Sequence, residues 1–370
     1  VSSGCARGPA PGRSGVRGVL LAAALLLALS SCRSDGPSSP SGNASGTPTT
    51  VPATPEEATG TMPPSRTPPP PPSCGGGDLV DVTDAEELQR ALDAARPGRT
   101  IRLADGTYAG NFVATAQGTP DTPIRLCGSR DAVLDGGDVD GGYTLHLQKA
   151  SHWQVLGLTV RGGGKGVMVD EGTGNLIQGL LVTSVGDEAI HLRTDSTDNA
   201  VVGNVVRHTG LRKPKYGEGI YVGSAESNWC RQTDCRPDRS DRNVIEANDI
   251  AGTTAESVDI KEGTSDGVLR DNVFDGSDLV DADSWVDVKG NDWRIEGNRG
   301  TTSPADGFQV HEIVDGWGRG TVFVGNQASG VKGLAINAAG SSDLRNSTTV
   351  GCTNSTHDGG SLSNVRCSRG

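Results

Sequence analysis

Five ionisable residues in two short segments carry the strongest chemical signal in the chain: Glu256, Asp259 and Lys261, then Asp287 and Lys289. Apolar residues alternate with them (Val258 and Ile260; Val286 and Val288), so in an extended strand the charged side chains share the face opposite the core. Clustered carboxylates offer hard oxygen ligands to a cation, and with Glu218 they form a candidate metal set of Glu218, Glu256, Asp259 and Asp287. An amine among them is a candidate proton carrier. Stacking such segments sets like charges side by side, at a cost of roughly 0.2–1 kcal/mol per pair. A solvated sheet face gains nothing from that arrangement, so the segments read as a functional groove.

The same three outward positions recur along the chain. The row before the strand reads Lys165, Glu188, Glu218, Glu256, Ser284, Asp306; the middle row reads Met168, His191, Tyr221, Asp259, Asp287, Gln309. The row after it reads Asp170, Arg193, Gly223, Lys261, Lys289, His311. One flank is therefore acidic and the other basic, with His191, Tyr221 and His311 as candidate proton donors.

The element that positions these rows is a short strand with period-two alternation. It recurs as Tyr143–Leu145, Val167–Val169, Ile190–Leu192, Ile220–Val222, Val258–Ile260, Val286–Val288, Phe308–Val310 and Leu334–Ile336, in steps of 24, 23, 30, 38, 28, 22 and 26 residues. A second element recurs between these strands, with Asn204, Asn248, Asn272, Asn298 and Asn326 at one turn position. Asn tolerates the left-handed conformation and can ladder from coil to coil. Short strands at a repeat near 24 residues predict an all-β, right-handed parallel β-helix over residues 74–370. Thr83 as N-cap with Glu86 three residues on predicts a capping helix over 85–95 that covers the first coil. The two long steps locate insertions at 207–216 and 224–241, where function tends to sit in a regular scaffold.

Bulk composition agrees with a solenoid. Of 370 residues only 34% are hydrophobic and 4% aromatic, with 54 glycines. Residues 1–31 have arginines before an apolar run, Val19 to Leu29, too short to span a bilayer, and read as a signal peptide. Leu29-Ser30-Ser31-Cys32 resembles the lipobox of bacterial lipoproteins, which predicts lipidation of Cys32, an extracytoplasmic location and a membrane contact through the anchor alone. Residues 32–73, rich in Pro, Ser, Thr and Gly, form an extended spacer. The net charge is −12, and losing the three arginines of the signal segment deepens it to −15, which argues against nucleic acid as partner. Sequence proximity pairs Cys74 with Cys127, Cys230 with Cys235 and Cys352 with Cys367. A capped, tethered solenoid is expected to be a monomer.

Residues 97–108 (Pro-Gly-Arg-Thr-Ile-Arg-Leu-Ala-Asp-Gly-Thr-Tyr), Gly118-Thr119-Pro120 with Pro123-Ile124, and the run Trp153 to Val160 resemble β-helical polysaccharide lyases of the alginate lyase and chondroitinase B type. The resemblance covers most of residues 78–340. It implies a Glu-x-Glu calcium site and a lysine base five residues after the second Glu. Glu256 and Lys261 fit that pattern, but Thr254 stands at the first Glu and Lys289 at an expected arginine. The implied activity is β-elimination on an anionic, uronate-containing polysaccharide. Lys261 would abstract the proton, Lys289 or Arg193 would pair with the substrate carboxylate, and His191, Tyr221 or His311 would protonate the leaving oxygen. A lysine beside other cations should have its pKa depressed. Lys213 and Lys215 in the basic loop could steer the polymer, and Trp229 and Trp317 could stack on sugar rings. Two other readings stay open: a glycoside hydrolase using Glu256, Asp259 and Asp287, and a non-catalytic glycan-binding surface protein.

Overall fold

The computed structural model describes Pro70 and residues 72–369; the signal segment, Cys32 and most of the spacer lie outside the described residues. Almost every coil contributes one strand to each of three parallel sheets of eleven, ten and ten strands, and from the second strand onward each sheet takes every third strand in chain order. This is the right-handed parallel β-helix expected from the repeat. We number the sheets 1, 2 and 3 by their first strands, Asp78–Val82, Gly106–Ala109 and Phe112–Ala114.

Alternation decides which side chains enter the core. In sheet 1, Leu126, Val155, Ile177, Val201, Ile245, Leu269, Ile295 and Phe323 lie in register one above the next, all buried. Sheet 3 contributes Val167, Ile190, Ile220, Val258, Val286 and Phe308 in the same manner. In sheet 2 the stack contains Gly300 between Phe274 and Ala328. The buried Trp285 ring fills that gap, and a Cβ on Gly300 would come within 2.3 Å of it.

The sequence register holds in the central coils and slips by two at both ends. Leu145 pairs with Val167, so Tyr143 sits opposite Lys165; likewise Ile336, and not Leu334, pairs with Phe308. In both segments apolar residues continue at every second position, so a period of two fits more than one register.

Turns between sheets 1 and 2 carry the expected asparagine ladder. Each Asn side-chain oxygen accepts from the backbone N–H and side-chain amide of the Asn one coil earlier, from Asn204 through Asn248, Asn272, Asn298 and Asn326 to Asn354. The left-handed residue is not the Asn but its predecessor: Gly203, Ala247, Asp271, Gly297 and Gly325. A second ladder, which the sequence reading missed, runs through Asn175, Asn199 and Asn243.

Helix α1 spans Ala85–Asp93 and buries Leu88, Ala91 and Leu92 against the first coil. Its N-cap is Asp84, whose carboxylate accepts from the Glu87 N–H, while the Glu87 carboxylate accepts from the Thr83 N–H and hydroxyl. The capping pair thus lies one residue later than expected. Two helices follow, α2 (Glu226–Gln232) in the longer insertion and α3 (Ser342–Ser347) near the last coils. The disulfides are 74–127, 230–235 and 352–367, as proximity predicted. Among the described residues no helix is long and apolar enough to cross a membrane.

The buried ladder gives a stability prediction. Asn248→Ala leaves the Asn204 N–H, and one of the two N–H groups of its side-chain amide, without an acceptor, at about 1–3 kcal/mol for each buried group. Denaturant unfolding should show a loss of that order, and a loss no larger than that of an exposed Asn→Ala control would contradict the role given to the ladder.

Candidate active site

Sheet 3 brings the outward rows together residue by residue. Met168, His191, Tyr221, Asp259, Asp287 and Gln309 are consecutive register partners. The expected open charged face is instead largely covered: Asp259 is 1% exposed, and Asp287 and Lys289 are each 7% exposed. A cleft of about 650 Å³ remains over the rungs from Lys165 to Lys261. The loop carrying Arg212, Lys215 and Tyr216 lines it, as do Ser227, Asn228 and Arg231 of helix α2. The two insertions that sequence spacing located therefore supply cleft residues.

Asp259 is the hub of the charged rungs. Its two oxygens lie 2.5 Å from the Lys261 ammonium and 2.8 Å from that of Lys289, which also reaches Asp287 at 3.0 Å. Asp287 accepts from the Ser284 hydroxyl at 2.8 Å and lies 3.6 Å from His311, whose ring meets the Gln309 side-chain oxygen. Asp287, Lys289 and His311 thus form a closed network outside the cleft lining. That corrects three expectations: Lys289 is not free to pair with a substrate carboxylate, Asp287 is no member of the metal set, and His311 is no proton donor to the cleft.

Lys261 does line the cleft, with its ammonium 5.0 Å from the Tyr221 ring centroid. Burial works against its charge, but Asp259 prevails and holds its pKa above the ordinary lysine range. The expected depression is overturned because the nearest charge is an anion, not Lys289 or Arg193. Burial and the Asp259 charge push the Tyr221 hydroxyl well above its ordinary value, so it stays protonated. His191 packs on Tyr221 at 4.4 Å between centroids, and its Nε2 meets the Gly223 carbonyl at 2.9 Å. Burial pushes His191 below its usual value, so its ring is neutral and Nε2 donates to that carbonyl. Arg193 reaches the cleft wall while held by the Asp170 carboxylate at 2.6 and 3.2 Å and by the Tyr143 hydroxyl at 3.1 Å.

Asp259 is paired with two lysines, whereas Glu218 and Glu256 of the acidic flank make no ion pair among the described residues. Carboxylate oxygens of Glu218, Glu256 and Asp259 lie within 4.8 Å of one another. One Glu218 oxygen is buried without a hydrogen-bond partner. Burial and the neighbouring carboxylates raise Glu218 well above the usual range and push Glu256 up to about 8. An orphaned buried oxygen among clustered hard donors suits a hard divalent cation. Thr254 is not part of this set: its hydroxyl donates to the Pro214 carbonyl at 2.8 Å, and Glu218 from the preceding rung brings the additional oxygen.

Of the expected substrate contacts, Lys215 lines the cleft and Lys213 does not. Trp229 is corrected outright. It is the buried residue of α2, and its indole N–H donates to the Ser224 carbonyl, so it anchors the insertion and cannot stack on a sugar. Trp317 lies off the cleft, 5.7 Å from the Arg239 guanidinium. Sequence reasoning missed Tyr216 and Arg231, whose one signal was membership of the two insertions. The cleft lining carries six cations, Lys165, Arg193, Arg212, Lys215, Arg231 and Lys261, against three carboxylates, Asp187, Glu188 and Glu218, a net positive excess in a chain of net charge −12.

No family model matches the chain. It is 27% identical over 182 residues to pectate lyase PEL9 of Emericella nidulans, and it spans less than half the length of that curated relative, 44%, using 42% of its own. The crystal structure of pectate lyase Pel9A shares the fold, with a TM-score of 0.51 and 16% identity over 72% of each chain. The crystal structure of the alginate lyase from Paenibacillus sp. str. FPU-7 superposes with a TM-score of 0.70 and 35% identity, covering 77% of this chain and 97% of that one. At that identity and coverage, the chain belongs to the family of parallel β-helix polysaccharide lyases represented by the Paenibacillus alginate lyase.

Proposed function

We propose that the protein is an extracytoplasmic polysaccharide lyase, tethered through Cys32, that cleaves a uronate polymer of the alginate type by β-elimination. The observation that carries this reading is the cationic cleft of an otherwise acidic chain, with Lys261 and Tyr221 side by side at its floor. Cationic walls with low-dielectric backing draw in an anionic polymer. Elimination needs one proton to leave C5, α to the carboxylate, and one to reach the departing glycosidic oxygen. Tyr221, kept as a hydroxyl by its surroundings and engaged in no hydrogen bond among the described residues, is the donor to the leaving oxygen. Lys261 in its neutral form takes the C5 proton. Arg193, fixed by Asp170 and Tyr143, faces the substrate carboxylate. Of the three carboxylates a hydrolase would draw on, Glu256, Asp259 and Asp287, the first two have oxygens within 4.8 Å of each other, closer than the roughly 6.5–9.5 Å of inverting hydrolysis.

Glu218, Glu256 and Asp259 would hold calcium. Bound there, the ion supplies positive charge that offsets the three carboxylates and assists neutralisation of a substrate carboxylate. The chain's own contribution is to keep Lys261 and Lys289 on either side of Asp259, so the hub stays paired.

Incubation with alginate should release products with the ultraviolet absorbance of a conjugated, unsaturated uronate; new reducing ends without that absorbance would indicate hydrolysis instead. Lys261→Ala and Tyr221→Phe should each lower kcat by about 10²–10⁴-fold, with KM little altered. Because Asp259 holds Lys261 charged, kcat/KM should climb toward alkaline pH; a flat profile would remove Lys261 as the base.

The acidic cluster predicts a pH-dependent stability. Glu256 titrates near 8 in the folded chain against an ordinary value of 4.5. The folded state thus binds that proton more tightly, so stability is fully present below the ordinary value and is lost as pH rises through about 8. In chelator, the melting temperature should fall over that window, and millimolar calcium should restore it by binding only the folded, ionised cluster. Glu256→Gln should flatten the slope and abolish the calcium response. An unchanged slope in that variant would assign the titration elsewhere.

A further inference from the structure

The arm that walls the cleft, residues 210–217, is built more rigidly than a surface loop of its exposure requires. Its two ends, Gly210 and Gly217, pass so closely that a Cβ on either would lie 1.8 and 2.0 Å from the Thr254 hydroxyl oxygen. That hydroxyl donates to the Pro214 carbonyl, the Thr209 hydroxyl donates to the Gly217 carbonyl, and Arg212 is tied to Asp187 across the cleft wall. Pro214–Tyr216 forms a single 3-10 turn between these ties. The restraints converge on one exposed aromatic. Tyr216 is 39% exposed and lines the cleft, with the Lys215 ammonium 4.6 Å from its ring centroid.

An aromatic left open to solvent on a braced support, with the ammonium groups of Lys215 and Lys213 over its ring at 4.6 and 5.8 Å from the centroid, matches one class of ligand well. The apolar C–H face of a pyranose packs on the ring, and a carboxylate on the same sugar pairs with the ammonium. A pre-set arm also spares a ligand the ordering cost that a free loop would impose. We infer that Tyr216 and Lys215 form a uronate-binding subsite on the cleft wall, acting in polymer capture and not in proton transfer. This rests on the lyase reading and adds a specificity element to it. Thr254 acquires a purpose here that the acidic cluster does not give it, as the brace of the arm.

The test separates capture from chemistry. Steady-state kinetics on alginate should show KM raised by about tenfold in Tyr216→Ala, an aromatic contact's worth, with kcat within about twofold, a ratio that mis-folding would not produce. Tyr216→Phe, which keeps the ring, should stay near the parent, and Lys215→Ala should raise KM in the same direction. In the Lys261→Ala background, calorimetry with oligouronates should show the same loss of affinity on removing Tyr216. Unchanged KM and affinity in Tyr216→Ala would overturn the subsite while leaving the lyase reading intact, and equal effects of Tyr216→Phe and Tyr216→Ala would overturn the stacking role. A parent chain that neither binds nor cleaves uronate polymers would bring down both.

Discussion

Every residue of a parallel coil sits about 4.8 Å from its counterparts above and below, and that spacing governs this molecule. Inside, it is wholly favourable: aliphatic side chains of like shape stack in continuous columns, and glycine at position 300 is tolerated because the Trp285 ring closes the space. At the turns it lets asparagines hand hydrogen bonds down a ladder. Outside, the same repeat forces Glu188, Glu218 and Glu256 into one row, where stacking is unfavourable. The chain offsets part of that cost. Lys165 pairs with Glu188, and Asp259 is held between two lysines. Glu218 and Glu256 make no ion pair among the described residues, and burial with the neighbouring carboxylates raises both. The cluster is thus a residue of incomplete neutralisation.

Chemistry enters where the regularity is interrupted. The sheet face alone would present alternating charges to water. The insertions at 207–216 and 224–241 turn part of it into a walled cleft, one through a braced arm and the other through α2, seated by Trp229 and closed by the Cys230–Cys235 bond. Lys261 lies at the floor of that enclosure, whereas Lys289, one rung further, is sealed between two aspartates. Identical residue types on adjacent coils therefore have different surroundings, decided by cover and not by register.

Much of this was legible from the residues alone. Strict alternation and a repeat near 24 gave the solenoid and the register of its six central rungs, since one buried face fixes a strand's pairing. The steps of 30 and 38 residues marked the insertions, and short cysteine spacings marked the disulfides. At Tyr143 and Leu334 the alternation runs on past the strand, so spacing alone did not select among registers. Thr83 and Asp84 are both capping residues, and only the helix geometry chooses. The charge state of Lys261 was misread for a deeper reason. Sequence showed which charges share a neighbourhood, but not that the Asp259 carboxylate would lie between the two amines. Tyr216 left no periodic trace at all, because insertions obey no repeat.

The placement of the three disulfides has a mechanical meaning. In a one-dimensional stack each interior coil is held from both sides, whereas a terminal coil has a single neighbour and frays first. Cys74–Cys127 and Cys352–Cys367 sit near those two vulnerable ends, and α1 shields the first. With its hems stitched, the ribbon is tied at the two edges from which a stack would otherwise come apart.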